Sequence, residues 1–166
     1  PAGRDYFLLR VSGDTNRECK MIEQLKKELA ADEGCVTHTY LCSEGHLTVG
    51  IGHLCQEGDP EFWKSIGTEV SQDRVDELFG KDIAWTMTDC RDIVPGFDDM
   101  PREVKLILAN LMFNMGRGRV LQFRKMLAAV DERDWSTAAD EMHDSKWRRQ
   151  VPARAERLIK RMRAVE

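Results

Sequence analysis

Glu33, Cys42 and Thr48 are the residues of this sequence best placed to do chemistry together. Glu33 can hand over a proton, and Cys42 and Thr48 each carry a group able to act as a nucleophile or to hold one. Eight residues separate Glu33 from Cys42, and five more separate Cys42 from Thr48. A proton donor facing a nucleophile is the minimum for acid-assisted bond cleavage.

The surrounding elements make that geometry reachable. Met21, Ile22, Leu25 and Leu29 recur at helical spacing, and Gly34 is a natural stop, so the spacing predicts a helix ending at Glu33. The negative end of a helix dipole disfavours an ionised carboxyl there, as a proton donor requires. Val36 to Leu41 and His46 to Ile51 read as a hairpin, turned at Ser43-Glu44-Gly45-His46, with Gly45 supplying the turn. The acid therefore lies opposite Cys42 and Thr48 across the mouth of a cleft.

The rest of the chain reads as helices. Asp59-Pro60 has the form of a cap followed by a first-turn proline. Ser71 caps a long helix whose apolar face carries Val75, Leu78, Phe79 and Ile83. Asp82 falls on that same stripe and needs a partner. The segment opened by Pro101 is apolar nearly all round, from Val104 to Met115, and so is expected to be buried. Val120 to Val130, Trp135 to Trp147 and Pro152 to Val165 complete the set. A helix, a hairpin and then helices alone predict an α+β fold, with a mixed lobe over 18–80 and a helical lobe over 81–166. Residues 1–17 read as an extension, with a short strand at Tyr6 to Val11 and a turn at Ser12-Gly13-Asp14.

Composition narrows the function classes. The chain has 166 residues, 42% of them hydrophobic and 33% charged, enough to bury a real core. No apolar run reaches the roughly 18 residues of a membrane span. Tyr6-Phe7-Leu8-Leu9 is too short for the apolar core of a signal peptide, and the start at Pro1 suggests a trimmed chain. The net charge of −4 conceals an asymmetry. Residues 1–100 hold 10 Lys/Arg against 20 Asp/Glu, and residues 101–166 hold 15 against 9. A basic half beside an acidic half suits an anionic polymer lying on one lobe, although solvated faces would look the same. Seven Lys/Arg between Arg148 and Arg163 lack the interleaved aromatics of a nucleic-acid surface, so nucleic acid is not the expected partner.

Four blocks resemble the phage-type lysozymes, in the same order. They are Asp32 to His53, Leu78-Phe79-Gly80-Lys81-Asp82, Asn110 to Gly116, and Ser145-Lys146-Trp147 continuing through Gln150 to Arg157. The Glu, Cys and Thr spacing is that family's own, with Cys42 standing where most members have aspartate and some have cysteine. The resemblance covers most of residues 32–163; residues 1–17 have no counterpart, and the segment from His53 to Leu78 is shorter.

The resemblance implies a lysozyme-like fold and cleavage of the β-1,4 bond between N-acetylmuramic acid and N-acetylglucosamine in bacterial peptidoglycan. It implies Glu33 as general acid, Thr48 at the attacking water, Arg154 paired with Glu33, and Asn110 beside that pair. Leu54, Phe113 and Glu44 are the implied substrate contacts, and His53 with Asp82 an implied structural ion pair. Met126 and Glu141 stand where relatives have small polar groups against the substrate. No metal or organic cofactor is implied. The enzyme would act as a monomer on the cell wall, periplasmic or extracellular. An acidic total charge favours delivery by a larger assembly over free diffusion.

Cys42 is the departure that matters. A thiol with an ordinary pKa of about 8.5 is mostly neutral at pH 7, and Glu33 and Glu44 are expected to raise it. A thiolate is a good nucleophile, so the reaction runs through water or through a thioglycosyl intermediate. Three other readings compete. They are a zinc site in the cluster Cys35, His38, Cys42, His46, His53 and Cys55, a glycan-binding module that does not cut, and a lytic transglycosylase. The five cysteines leave at least one thiol unpaired, no C-x-x-C occurs, and disulfides among Cys19, Cys35, Cys55 and Cys90 remain open.

Overall fold

The computed structural model describes residues 15–42 and 44–166. The proposed strand at Tyr6 to Val11 and the turn after it lie outside the described residues.

Helix α1 (Thr15–Glu33) buries Met21, Leu25 and Leu29, one residue per turn, against the central helix α3. Full burial of a leucine contributes about 1.5–3 kcal/mol, so this stripe fixes the angle at which α1 delivers its last residue. Gly34 ends it at φ 75°, a left-handed conformation that costs glycine little. Its N–H donates to the Ala30 carbonyl at 3.0 Å.

Strands β1 (Val36–Leu41), β2 (Leu47–Gly50) and β3 (His53–Leu54) form an antiparallel sheet in chain order. Tyr40 lies opposite Thr48, and Thr48 opposite Leu54, so these three side chains share one face. The other face carries Val49, which packs with Cys55 and Leu78 in a small second core. The two-residue β3 was too short to read from periodicity. It follows β2 through Gly50 and Gly52, both at positive φ, and a Cβ at Gly50 would sit 3.0 Å from Val75 Cγ1. The outer edge of β1 is covered. Gly67, Thr68 and Val70 exchange backbone bonds with Thr37 and Thr39, which removes an open sheet edge.

Helix α2 (Gln72–Ile93) starts at Ser71, whose hydroxyl accepts the Arg74 amide at 3.3 Å. Its N-terminal half packs on β2 and β3 and its remainder on α3 (Arg102–Met115), so it ties the sheet to the helices. Helix α3 buries every residue from Leu106 to Met112, and Gly116 ends it at φ 74°. The chain then forms α4 (Arg117–Val120), α5 (Arg124–Asp131), α6 (Trp135–His143), α7 (Lys146–Gln150) and α8 (Pro152–Arg163). The result is the α+β, lysozyme-like architecture expected from the sequence.

Two expected helices are broken. Val120 to Val130 divides at Leu121–Phe123, where Gln122 and Phe123 make tight bonds back to Arg119 and Val120 instead of continuing the helix. Trp135 to Trp147 divides at Ser145. Its hydroxyl donates to the Met142 carbonyl at 2.6 Å and accepts the Arg148 amide at 3.1 Å, closing one helix and capping the next.

Candidate active site

The end of α1, the middle of α3 and the start of α8 converge on one cation. Arg154 is only 7% exposed, and a buried guanidinium must be paired and hydrogen-bonded. Its Nη1 donates to Glu33 Oε1 at 2.6 Å and its Nε to Asn110 Oδ1 at 2.7 Å, with Asp32 Oδ2 3.2 Å from Nε. Asn110 returns its Nδ2 to Asp32 at 3.3 Å, and Arg157 reaches both Asp32 oxygens at 2.7–2.8 Å. The Glu33 side chain keeps a quarter of its surface open. Among the described residues its Oε2 accepts no hydrogen bond, while Oε1 also faces Asn114 Nδ2 at 3.5 Å. Asn114 in turn accepts the buried Trp147 indole N–H at 2.8 Å.

The hairpin carries the other two candidate residues. Cys42 N–H donates to the His46 carbonyl at 2.9 Å, and Gly45 N–H donates back to the Cys42 carbonyl at 2.9 Å. The buried Thr48 hydroxyl donates to the same His46 carbonyl at 2.9 Å. Contrary to the expectation of a raised thiol, Cys42 lies below its ordinary value. The backbone amides of His46 and Glu44 stabilise the thiolate, the adjoining Thr48 hydroxyl adds to this, and together they outweigh partial burial and the Glu44 charge. Tyr40 is pushed up by burial and by the charges of Cys42, Glu33 and Cys55. All five cysteines are free thiols, with Cys55 and Cys90 buried.

A cleft of about 1070 Å³ opens beside this constellation, lined by Glu44, Asn114, Arg119, Met126, Glu141 and Trp147 among others. Glu44 at the hairpin tip reaches across it to Arg119 at 3.1 Å, both side chains being 63% exposed. Glu33 adjoins this cleft through Asn114 rather than lining it. Leu54 is half-exposed on β3, and Phe113 packs edge-on against Phe79 at 5.8 Å; neither lines the cleft.

His53 and Asp82 do meet. His53 is 4% exposed, and its Nδ1 sits 2.9 Å from both Asp82 oxygens. Its Nε2 sits 3.1 Å from Asp59 Oδ2. Asp59 was expected to cap a helix, but it makes no side-chain cap bond to the short 3₁₀ turn Pro60–Trp63. Its carboxylate takes His53 and the Gln56 amide instead, because a buried imidazole between two acids binds an anion better than a single-turn helix end does. No three His, Cys, Asp or Glu side chains among the described residues stand where they could share a metal ion.

A small sheet and a helical bundle with an open cleft beside the hairpin tip are the architecture of the lysozyme-type hydrolases. The chain belongs to the phage lysozyme family, whose model matches residues 30–165. It is 30% identical over 158 residues to probable T4-type lysozyme 2 of Dictyostelium discoideum, covering 84% of this chain and 93% of that one. It is 29% identical to the pre-baseplate central spike protein Gp5 of Enterobacteria phage T4, covering 93% of this chain and 29% of that protein. It is also 31% identical to peptidoglycan hydrolase gp36 of Pseudomonas phage phiKMV, covering 82% of this chain and 15% of that protein. The chain is a lysozyme, a hydrolase of peptidoglycan.

Sequence reasoning missed several members of the site. Asp32 stands next to Glu33 with no role in the sequence reading, and that reading does not single out Arg157 or Arg161. Arg157 binds Asp32, and Arg161 binds Glu28 and Glu103. Tyr40 could have been found from its register opposite Thr48. Asn114 and Trp147, by contrast, lie 33 positions apart with no local signal joining them.

Proposed function

We propose that the enzyme cleaves the β-1,4 bond between N-acetylmuramic acid and N-acetylglucosamine, with Glu33 as general acid. The observation that carries this reading is the asymmetric clamp on Glu33: Arg154 holds Oε1, and Oε2 accepts no hydrogen bond among the described residues. An acid so held can aim one oxygen at a bound sugar. Glu33 gives its proton to the glycosidic oxygen, the C1–O bond breaks with its electron pair going to that oxygen, and positive charge develops at C1. Cys42, drawn towards the thiolate by two amides, faces that charge. Either its thiolate Sγ attacks C1 and a water later displaces it, passing its proton to the now ionised Glu33, or a water held at Thr48 attacks directly and passes its proton to the Cys42 thiolate.

Arg154 and Asn110 support Glu33 in this reading, and Glu44, which lines the cleft, contacts the substrate. The polymer lies between a mixed lobe over 18–80 and a helical lobe over 81–166, with residues 1–17 as an extension. The likeness to a phage central spike protein supports action at the cell wall after delivery by a larger assembly. Among the described residues no helix is long and apolar enough to cross a membrane.

Digestion of purified peptidoglycan, with mass spectrometry of the released muropeptides, tests this reading. Reducing N-acetylmuramic ends are expected. Anhydro ends would make the enzyme a lytic transglycosylase, in which the sugar's own hydroxyl replaces water. Reducing N-acetylglucosamine ends would place the cut at the other linkage.

A further inference from the structure

We infer that Trp147 and Asn114 are positioning residues that decide which oxygen of Glu33 carries the acid proton, an inference that rests on the acid role proposed for Glu33. Trp147 is buried at the start of α7, and its Nε1–H is a donor that can never accept. Its bond of 2.8 Å to Asn114 therefore requires the amide oxygen on that side. The Asn114 amide is thus oriented by chemistry, and its Nδ2 must point the other way, towards Glu33 Oε1.

Two helices then aim donors at one carboxyl oxygen, and a third fixes one of those donors. Arg154 from α8 donates to Oε1 at 2.6 Å, and Asn114 from the last turn of α3 presents N–H to it from 3.5 Å, itself held by Trp147 on α7. Neither donor can receive a proton. A proton on Oε1 would have to face two N–H groups, so the acid proton resides on Oε2. That oxygen has no hydrogen-bond partner among the described residues, and both Asn114 and Trp147 line the adjoining cleft. The proton is left on the oxygen that can meet a bound substrate.

The indole N–H is what keeps this arrangement single-valued. Without it the Asn114 amide is free to turn over and offer its oxygen to Glu33. A proton on Oε1 would then be held by that oxygen and lost to the reaction. Trp147→Phe keeps the buried ring and removes only the donor. Its expected effect is a fall in kcat of about tenfold, part of the 10²–10⁴ that a positioned acid supplies, with KM on soluble peptidoglycan strands unchanged.

A double-mutant cycle tests the relay. Asn114→Ala leaves no amide to turn over, so Trp147→Phe is expected to have no further effect on kcat in that background. Equal losses in both backgrounds, or wild-type kcat in Trp147→Phe, would overturn the relay. Asn114→Asp keeps an oxygen for Trp147 but turns an acceptor on Glu33, and covers the case in which Phe disturbs the buried site. It is expected to lower kcat with KM unchanged, and full activity would also overturn the relay. Glu33→Gln run alongside separates the two levels. Loss of activity there with no Trp147 effect removes the relay alone, whereas an active Glu33→Gln removes the acid role itself.

Discussion

The Arg154 guanidinium and the Glu33 carboxylate, 121 positions apart in the chain, meet at 2.6 Å over a buried Asp32. Arg154 is a brace between the first and last described helices as well as a clamp on the acid. Arg154→Ala leaves Asp32 with Arg157 as its remaining cation. The expected loss is about 3 kcal/mol, the low end for removing one partner of a buried pair. Urea unfolding of the two proteins measures it.

Glu44 and Arg119 also make an ion pair, at 3.1 Å, yet its expected contribution is much smaller. Both side chains are mostly in water, where such pairs are worth less than about 1 kcal/mol and are screened by salt. Arg119→Ala should leave the urea midpoint nearly unchanged. A loss as large as that of Arg154→Ala would mean the cross-cleft tie holds the fold together.

His53 makes stability depend on pH. Burial pulls its pKa down, but the hydrogen bonds and charges of Asp82 and Asp59 outweigh burial and hold it above the usual histidine value. Asp59 meanwhile lies below the usual carboxylate value: burial opposes this, but the Gln56 amide, His53 and Arg74 prevail. The His53 contribution is complete below about pH 6.5, its unfolded value, and is lost as pH rises through the raised native one. The Asp59 contribution is complete above about pH 4 and is lost as pH falls through its lowered native value. Melting temperature should therefore peak between these limits and decline on the alkaline side. His53→Asn should flatten that alkaline decline; an unchanged slope would remove His53 as its source.

The cysteines should separate by reactivity. Burial pushes Cys55 up to about 11 and Cys90 up to about 12, so neither is a thiolate at neutral pH. Cys42, half-buried and lowered, should alkylate well before them with iodoacetamide, and activity should fall in step with its modification. Exposed Cys19 and Cys35 should label without loss. Peptide mapping at timed intervals checks both. Cys42→Ser is expected to lose most activity and Cys42→Asp to keep it; a fully active Ser variant would take Cys42 out of the mechanism.

What could be read from the sequence was whatever local spacing encodes. Met21, Leu25 and Leu29 predicted α1 and its end at Glu33. Gly45 predicted the hairpin turn, Ser71 the cap of α2, and Asp82 on an apolar stripe announced a hidden partner. Contacts made by folding carry no such spacing. Asp32 meets Arg157 across 125 positions, and Asn114 meets Trp147 across 33. Asp59-Pro60 marked the start of the short turn Pro60–Trp63, but a histidine six residues earlier took the carboxylate that a cap bond would use. The thiol at Cys42 misled because its nearest charges were visible in the sequence and its nearest amides were not.

The most direct test is the rate at which Glu33→Gln clears a peptidoglycan suspension, with its melting temperature measured beside it. A loss of about 100-fold or more in a protein that still folds is the result expected of a removed general acid. A folded Glu33→Gln that clears at the wild-type rate would contradict the account.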